Sequence, residues 1–339
     1  MKRILITLFI VCSVVAFAQD LWSYANAGAD LIVFIDSENG EKNMDRELWE
    51  QIQREKKRAV ARNKGIEKYA EIRERDKHKD EDKDDDGGKA LEFDMKDRHV
   101  KLLVNFFVES TTPMTVGIEG AIILKGNTPT TPLQDFKGLL DEHKGTPSIT
   151  QSKFKVDGKE AFQIDVVQTE KSAPMNCIVI PQSDNMFEFR IRVNGKGGAS
   201  NAVVPKNGGS MVMTEGLAGS DTPFAVACNT RRLASMMNGE LTPQMMALKN
   251  CLEQTDVGKL NCRISGKDAF LTLTLHFFDA GVAQRIWGQL APVADALRGQ
   301  PVIQQYLRDT KVSVNGDLLV ISTTMDVRTG WGLINKFHY

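Results

Sequence analysis

Histidine and cysteine are scarce in this chain, five of each in 339 residues, and neither is arranged for metal or redox chemistry. No CxxC pair occurs and no histidine stands at zinc-ligand spacing, which excludes the usual structural zinc sites. GxSxG, a Walker phosphate loop, HExxH and GxGxxG are missing too, and with them the common spelled forms of acyl hydrolase, nucleoside triphosphatase, zinc peptidase and dinucleotide enzyme. No cofactor is implied. Charge of one sign is also lacking. The 43 basic residues face 44 acidic ones, so no global field gathers nucleic acid or an anionic surface, and no nucleic-acid partner is expected. Beyond Ala18 no apolar run approaches the ~20 residues of a membrane-crossing helix, so no transmembrane segment is expected in the mature chain.

What is present begins with a leader. Lys2 and Arg3 open it, Ile4 to Val15 is apolar, and Ala16-Phe17-Ala18 before Gln19 fits the small-x-small rule of signal peptidase. The expectation is a signal peptide over 1–18 and a periplasmic or secreted mature chain. Val11 stands before Cys12 where a lipobox wants a small residue, which argues against lipidation. After cleavage Cys177, Cys228, Cys251 and Cys262 remain, an even number in a chain bound for an oxidising space. They allow three pairings, and free, apolar, buried thiols are the other reading.

Past the leader, Ala29 to Asp36 reads as a buried strand closed by a turn at Asn39-Gly40, with a helix from about Met44 that docks Leu48, Trp49 and Ile52. Between Glu41 and His99, 35 of 59 residues are charged, so this segment has little surface to bury and reads as an inserted helical arm. Inside it Asp82-x-Asp84-x-Asp86-Gly87 spells the first half of a calcium loop, and Asp82, Asp84 and Asp86 are the candidate ligands. The second half fails, since Phe93 occupies the place of the bidentate Glu, and a solvated acidic tract is the plainer reading.

Strand-like runs follow at Val100 to Val108 and Met114 to Leu124, then a helix with Thr131 as N-cap, Pro132 first and Gln134 at the capping-box position. Alternation around Asp157-Gly158 marks a two-residue hairpin, and Cys177 to Ile180 and Met186 to Val193 add strands. Glycines then crowd the stretch from Gly195 to Gly219. The second half repeats the outline: a short strand at Thr222 to Cys228, a Thr242-Pro243 helix start, paired strands through Ser265-Gly266, a helical run from Ala280 to Arg298 broken by Pro292, a short helix at Pro301, and a hairpin at Asn315-Gly316. The opening strands lie about 193 residues apart and the hairpins about 158, a difference that an insertion in the first copy would explain. The fold class expected is α+β, in two related modules, each a mainly antiparallel sheet with helices on one face: 19–195 carrying the charged arm (about 41–99), a Gly-rich linker over 196–220, and 221–339. This layout, opening with Ala27-Gly28-Ala29-Asp30-Leu31-Ile32-Val33-Phe34-Ile35-Asp36, resembles uncharacterised exported bacterial proteins with two related α+β modules. That resemblance implies no activity.

One constellation imitates an enzyme. Ser152-x-x-Lys155, Ser183-Asp184-Asn185 and Arg328-Thr329-Gly330 mimic the signatures of serine β-lactamases and penicillin-binding proteins. There the Ser opens a helix with Lys one turn later, whereas here both fall on an alternating strand, where residues three apart face opposite ways. His276 belongs to the polar face of a strand, and His143 with Lys144 closes a helix, where positive charge meets the exposed carbonyls. The expected function is therefore that of an exported, non-catalytic protein binding another envelope or extracellular protein. The alternative is a hydrolase of an envelope or extracellular polymer, with catalytic residues that sequence does not name. For the leader the expected outcome is a secreted chain whose mass begins at Gln19. Soluble protein that retains Met1 would contradict the export signal.

Overall fold

The computed structural model describes residues 21–54 other than 27, 98–166 other than 112–113, 127 and 147–148, then 174–193, 222–237, 243–299, 304 and 307–330. The leader, Asp82, Asp84 and Asp86, the 196–220 linker and the Pro301 helix all lie outside the described residues, as does the arm beyond 54. The described elements make a mixed α+β fold. Its strands are β1 (Leu31–Asp36), β2 (Arg98–Thr111), β3 (Met114–Gly126), β4 (Ile149–Val156), β5 (Lys159–Val166), β6 (Met175–Pro181), β7 (Met186–Val193), β8 (Phe224–Asn229), β9 (Thr255–Ser265), β10 (Asp268–Phe277), β11 (Arg308–Asn315) and β12 (Leu318–Asp326).

All twelve belong to one sheet, in the order β11-β12-β10-β9-β8-β1-β2-β3-β7-β6-β5-β4. Sequence suggests a sheet in each half; the structure has a single one because the two opening strands pair with each other. β1 and β8 run antiparallel, with Val33 opposite Val226, Leu31 opposite Cys228 and Ile35 opposite Phe224, so the register is symmetric about the Val33–Val226 pair. Asp30 and Asp36 extend this contact through backbone bonds with Asn229 and Pro223. Both strands are short and carry apolar residues on both faces, so an exposed edge on either would leave its backbone groups and side chains unmatched.

Cross-strand partners share a face, which allows the two sides to be traced. Phe187, Ile122, Leu102, Ile35, Phe224, Cys262 and Leu271 form one ladder across seven strands. This side carries the helices. Phe136 and Leu140 of the Pro132–Glu142 helix pack on Val100, Leu102, Ile118, Phe162 and Phe187. Ala283 and Ile286 of the Ala280–Arg298 helix pack on Leu275, Phe277 and Leu319. Leu48 and Ile52 of the helical stretch 46–54 join Ala269 and Val327. On the opposite side Leu21, from a 3-10 turn at Leu21–Tyr24, is buried over Ile32, Phe34, Leu103, Ala225 and Ala227.

Local signals explain the boundaries. Thr131 and Gln134 form a reciprocal capping box with Pro132 beginning the helix. Asp157 and Gly158 both have positive φ, 50° and 81°, as a tight two-residue hairpin turn requires. Two expectations are corrected. Asn39-Gly40 is no turn, because the Asp36 side chain accepts a hydrogen bond from the Asn39 N–H at 2.9 Å and starts the helix Ser37–Asn43 there. Pro292 lies inside the Ala280–Arg298 helix and does not break it. Asn229 repeats the Asp36 cap in the second half by accepting from Arg232 N–H at 3.0 Å. The hairpins also differ from expectation: β11–β12, with Asn315-Gly316, abuts β10, the place that β6–β7 takes beside β3, while the Asp157-Gly158 hairpin lies beyond it at the sheet margin.

Gly120 sits where β2 and β3 approach too closely for any side chain. A Cβ there would lie 2.0 Å from the Leu103 carbonyl oxygen and 3.0 Å from the Phe189 ring. Since that oxygen is backbone, relief requires moving a central strand. Gly120→Ala is expected to cost about 3 kcal/mol, read as a lowered denaturant midpoint; an unchanged midpoint would show that the strands yield freely.

Candidate functional site

The residues nominated by the enzyme-like motifs are not brought together. Ser152 and Lys155 lie on β4, opposite Gln163 and Glu160 respectively, and so on opposite faces of the sheet. Ser183 and Asn185 belong to the β6–β7 turn, where the Ser183 hydroxyl donates to the Asn185 side-chain oxygen at 2.7 Å. That turn seats the neighbouring elements, because Asp184 and Asn185 carbonyls accept from Leu133 and Leu124 N–H groups. Arg328 follows β12, at the other end of the strand order from β4. His276 stands on the polar face, as expected, with its Nε2 3.3 Å from the Asp317 carboxylate.

The deeply placed charged groups serve the architecture. Lys101 and Asp36, both buried, pair at 3.0 Å across the β1–β2 ladder beside the helix that Asp36 caps. The Arg98 guanidinium ties the start of β2 to Asp135 and Thr128 at the front of the Pro132–Glu142 helix. Asp30 accepts from the Val108 N–H at 2.7 Å and faces Arg232 at 3.5 Å, joining the first half to the second. Asn105, fully buried, accepts from Asn26 N–H and donates to the Tyr24 carbonyl, while Asn26 donates to Glu119 at 2.8 Å. These bonds hold the N-terminal segment on the sheet. Losing one partner of the buried Lys101–Asp36 pair costs about 3–5 kcal/mol. Nearer the surface, Lys42 hydrogen-bonds Glu38 and holds its carboxyl below the ordinary range, with burial opposing and Lys125 reinforcing.

A cleft of about 420 Å³ opens between the end of the Pro132–Glu142 helix and the β4 margin. Leu140, Ile149 and Phe162 supply apolar lining, Gln151 a polar group, and Lys137, Lys144 and Lys153 positive charge, with Asp141 the acidic member. The Gln151 amide nitrogen is buried without a hydrogen-bond partner. Glu160 lies between two of the lysines, 3.6 Å from Lys137 and 3.8 Å from Lys153, and all three are about half exposed or more. Such exposed pairs are worth only about 0.2–1 kcal/mol and exchange readily. Lys153 also lies 5.2 Å from the Phe162 ring centre. Sequence reading missed this cleft, although Lys137, Leu140, Asp141 and Lys144 have the i, i+3, i+4, i+7 spacing of one helical stripe.

The four described cysteines are free. Burial pushes the Cys177 thiol up to about 12, with Asp165 adding to it, and the Cys262 thiol up to about 11. Burial also raises Cys228 and Cys251, and the Cys228 thiol donates to the Gly258 carbonyl at 3.6 Å. Reactive cysteines need a populated thiolate, which these surroundings deny. At pH 8 the folded chain is expected to alkylate at Cys177 and Cys262 with iodoacetamide about a hundredfold more slowly than the denatured chain. Rapid labelling of the native protein, located by peptide mass spectrometry, would show that these thiolates are populated and contradict their raised pKa.

No protein-family model matches the chain, and no curated protein matches it in sequence. Among solved structures the chain is similar to crystal form IV of TP0453, with 13% identity, a TM-score of 0.43, and coverage of 94% of this chain and 97% of that one. Crystal form III of TP0453 gives 11% identity and a TM-score of 0.43 over 94% and 99% of the two chains. Similarity of this degree assigns neither family nor function.

Proposed function

We propose that this chain is an exported, non-catalytic protein that binds another component of the envelope or the extracellular space. The observation that carries the reading is the cleft at the β4 margin, where apolar lining, a ring of lysines and an unpartnered amide meet at the end of the sheet. Supporting it, the buried ionic and amide groups are engaged in joining strands, helices and the N-terminal segment. The hydrolase alternative would need a nucleophile within hydrogen-bond reach of a base, or convergent carboxylates. Ser152 and Lys155 are turned to opposite faces, and no geometry here favours that alternative over binding.

The test is crosslinking of the mature protein in its native envelope, followed by mass spectrometry of what it holds. The expected outcome is a defined partner at reproducible stoichiometry, with crosslinks mapping to the β4 cleft. Crosslinks scattered over the surface and shared among abundant bystanders would reject the binding reading.

A further inference from the structure

Leu21 follows the expected end of the leader, Ala18, by three residues, yet its side chain is only 1% exposed. It shares one buried cluster with Ile32 and Phe34 of β1, Leu103 of β2, Ala121 of β3 and Ala225 and Ala227 of β8, on the side of the sheet opposite the described helices. That cluster spans the β1–β8 junction. Side chains of β2 and β3 fasten the residues behind Leu21. Asn105 donates to the Tyr24 carbonyl at 2.8 Å and accepts from the Asn26 N–H at 2.9 Å, while the Asn26 amide donates to Glu119 at 2.8 Å and accepts from the Gly28 N–H at 2.9 Å. Ala29 is buried, and the Asp30 N–H donates to the Phe106 carbonyl. Leu21 to Tyr24 form a 3-10 turn, so this part of the chain is wound rather than extended. Leu21 to Asn26 thus lie as a strap in contact with a cluster drawn from both halves of the chain.

We propose that closure of this strap and removal of the leader exclude each other, so that the chain is cut first and strapped afterwards. The proposal rests on the exported reading above and adds the order of its steps. A protease acts on a chain drawn out through its cleft, so a folded segment is cut only from an open form. Even a fully extended chain advances no more than about 3.6 Å per residue, which keeps the Ala18–Gln19 bond within about 11 Å of the Leu21 Cα. A peptidase that engulfs that bond must therefore lift Leu21 out of its cluster. Cleavage itself adds water across the amide: the bond between the Ala18 carbonyl carbon and the Gln19 nitrogen breaks, the carbon takes the hydroxyl, and the nitrogen takes the proton. While the strap is lifted, Asn105 lacks its Tyr24 and Asn26 partners and the cluster lacks Leu21. Closure restores both. A chain that closes its strap before it is cut keeps its leader, so the strap sets a time limit on processing.

The experiment treats the full 339-residue precursor, folded in mild detergent, with purified signal peptidase and follows release of residues 1–18 by mass spectrometry. Hydrogen exchange at the Asn26 amide reports whether the strap is closed, since that N–H is bonded to Asn105. The comparison is a precursor with ten Gly/Ser residues inserted after Asp20, which moves the bond away from a strap left intact and changes nothing the peptidase reads up to Asp20. A precursor with a protected Asn26 amide is expected to be cut at least about tenfold more slowly than the spacer variant, and Asn105→Ala, folded by circular dichroism, to be cut at the spacer variant's rate. A precursor whose Asn26 amide exchanges freely while the mature chain protects it would show directly that closure follows cleavage. Cutting of the protected precursor as fast as the spacer variant, an Asn105→Ala precursor cut as slowly as the parent, or an unprotected Asn26 amide in the mature chain would overturn the inference and leave the exported reading standing. If the peptidase cuts a control precursor but neither the parent nor the spacer variant, both fall.

Discussion

The antiparallel contact of β1 with β8 is the constraint on which the rest of the molecule depends. Among the described strands it is the one pairing that joins the elements before the glycine-rich stretch to those after it, with the Met44–Gly266 bridge as a smaller backbone contact between the same halves. Both strands lie at the middle of the sheet, and each caps a helix with its last residue, Asp36 in one and Asn229 in the other. The Asp30–Arg232 contact and the backbone bonds at either end fasten the same junction. Removing this pairing would leave two sheets, each with an apolar edge open to water, which is the arrangement soluble chains avoid.

Polar groups are spent on fixing this geometry. The Lys101–Asp36 pair crosses from β2 to β1, the Arg98–Asp135 pair sets the Pro132–Glu142 helix against β2, and Asn105 fastens the segment around Leu21 to the side of the sheet opposite the described helices. A buried pair of this kind is weak as a net source of stability and strong as a specification, because any other arrangement strands a charge away from water. Among the described residues the helix-bearing side and the Leu21 side are thereby given different covers.

Sequence made the local rules readable and the distant ones invisible. The Thr131-Pro132-Gln134 cap and the Asp157-Gly158 turn are settled by neighbours within four residues, and both are found in place. Asn39-Gly40 has the composition of a turn, yet the Asp36 carboxylate caps the N–H groups in front of it and a helix results, so a capping side chain outweighed a dipeptide preference. Pro292 interrupts one backbone bond, while Ala283 and Ile286 earlier in that helix are held by the sheet, so packing outweighed propensity. The joining of β1 to β8 could not be seen, because nothing in either strand names its partner. The cleft escaped for a related reason: its lysines come from a helix and from a strand, and only the helical share leaves a periodic trace.

The central pairing also orders events in time. β1 leaves the ribosome about 190 residues ahead of the strand that completes it, so closing that loop carries one of the largest entropic costs in the fold. Until β8 arrives, the first half can form its own hairpins but must keep the free edge of β1 unsatisfied. The molecule is thus a chain whose midpoint is assembled after its flank, and its period of greatest exposure to misassociation falls between the synthesis of those two short strands.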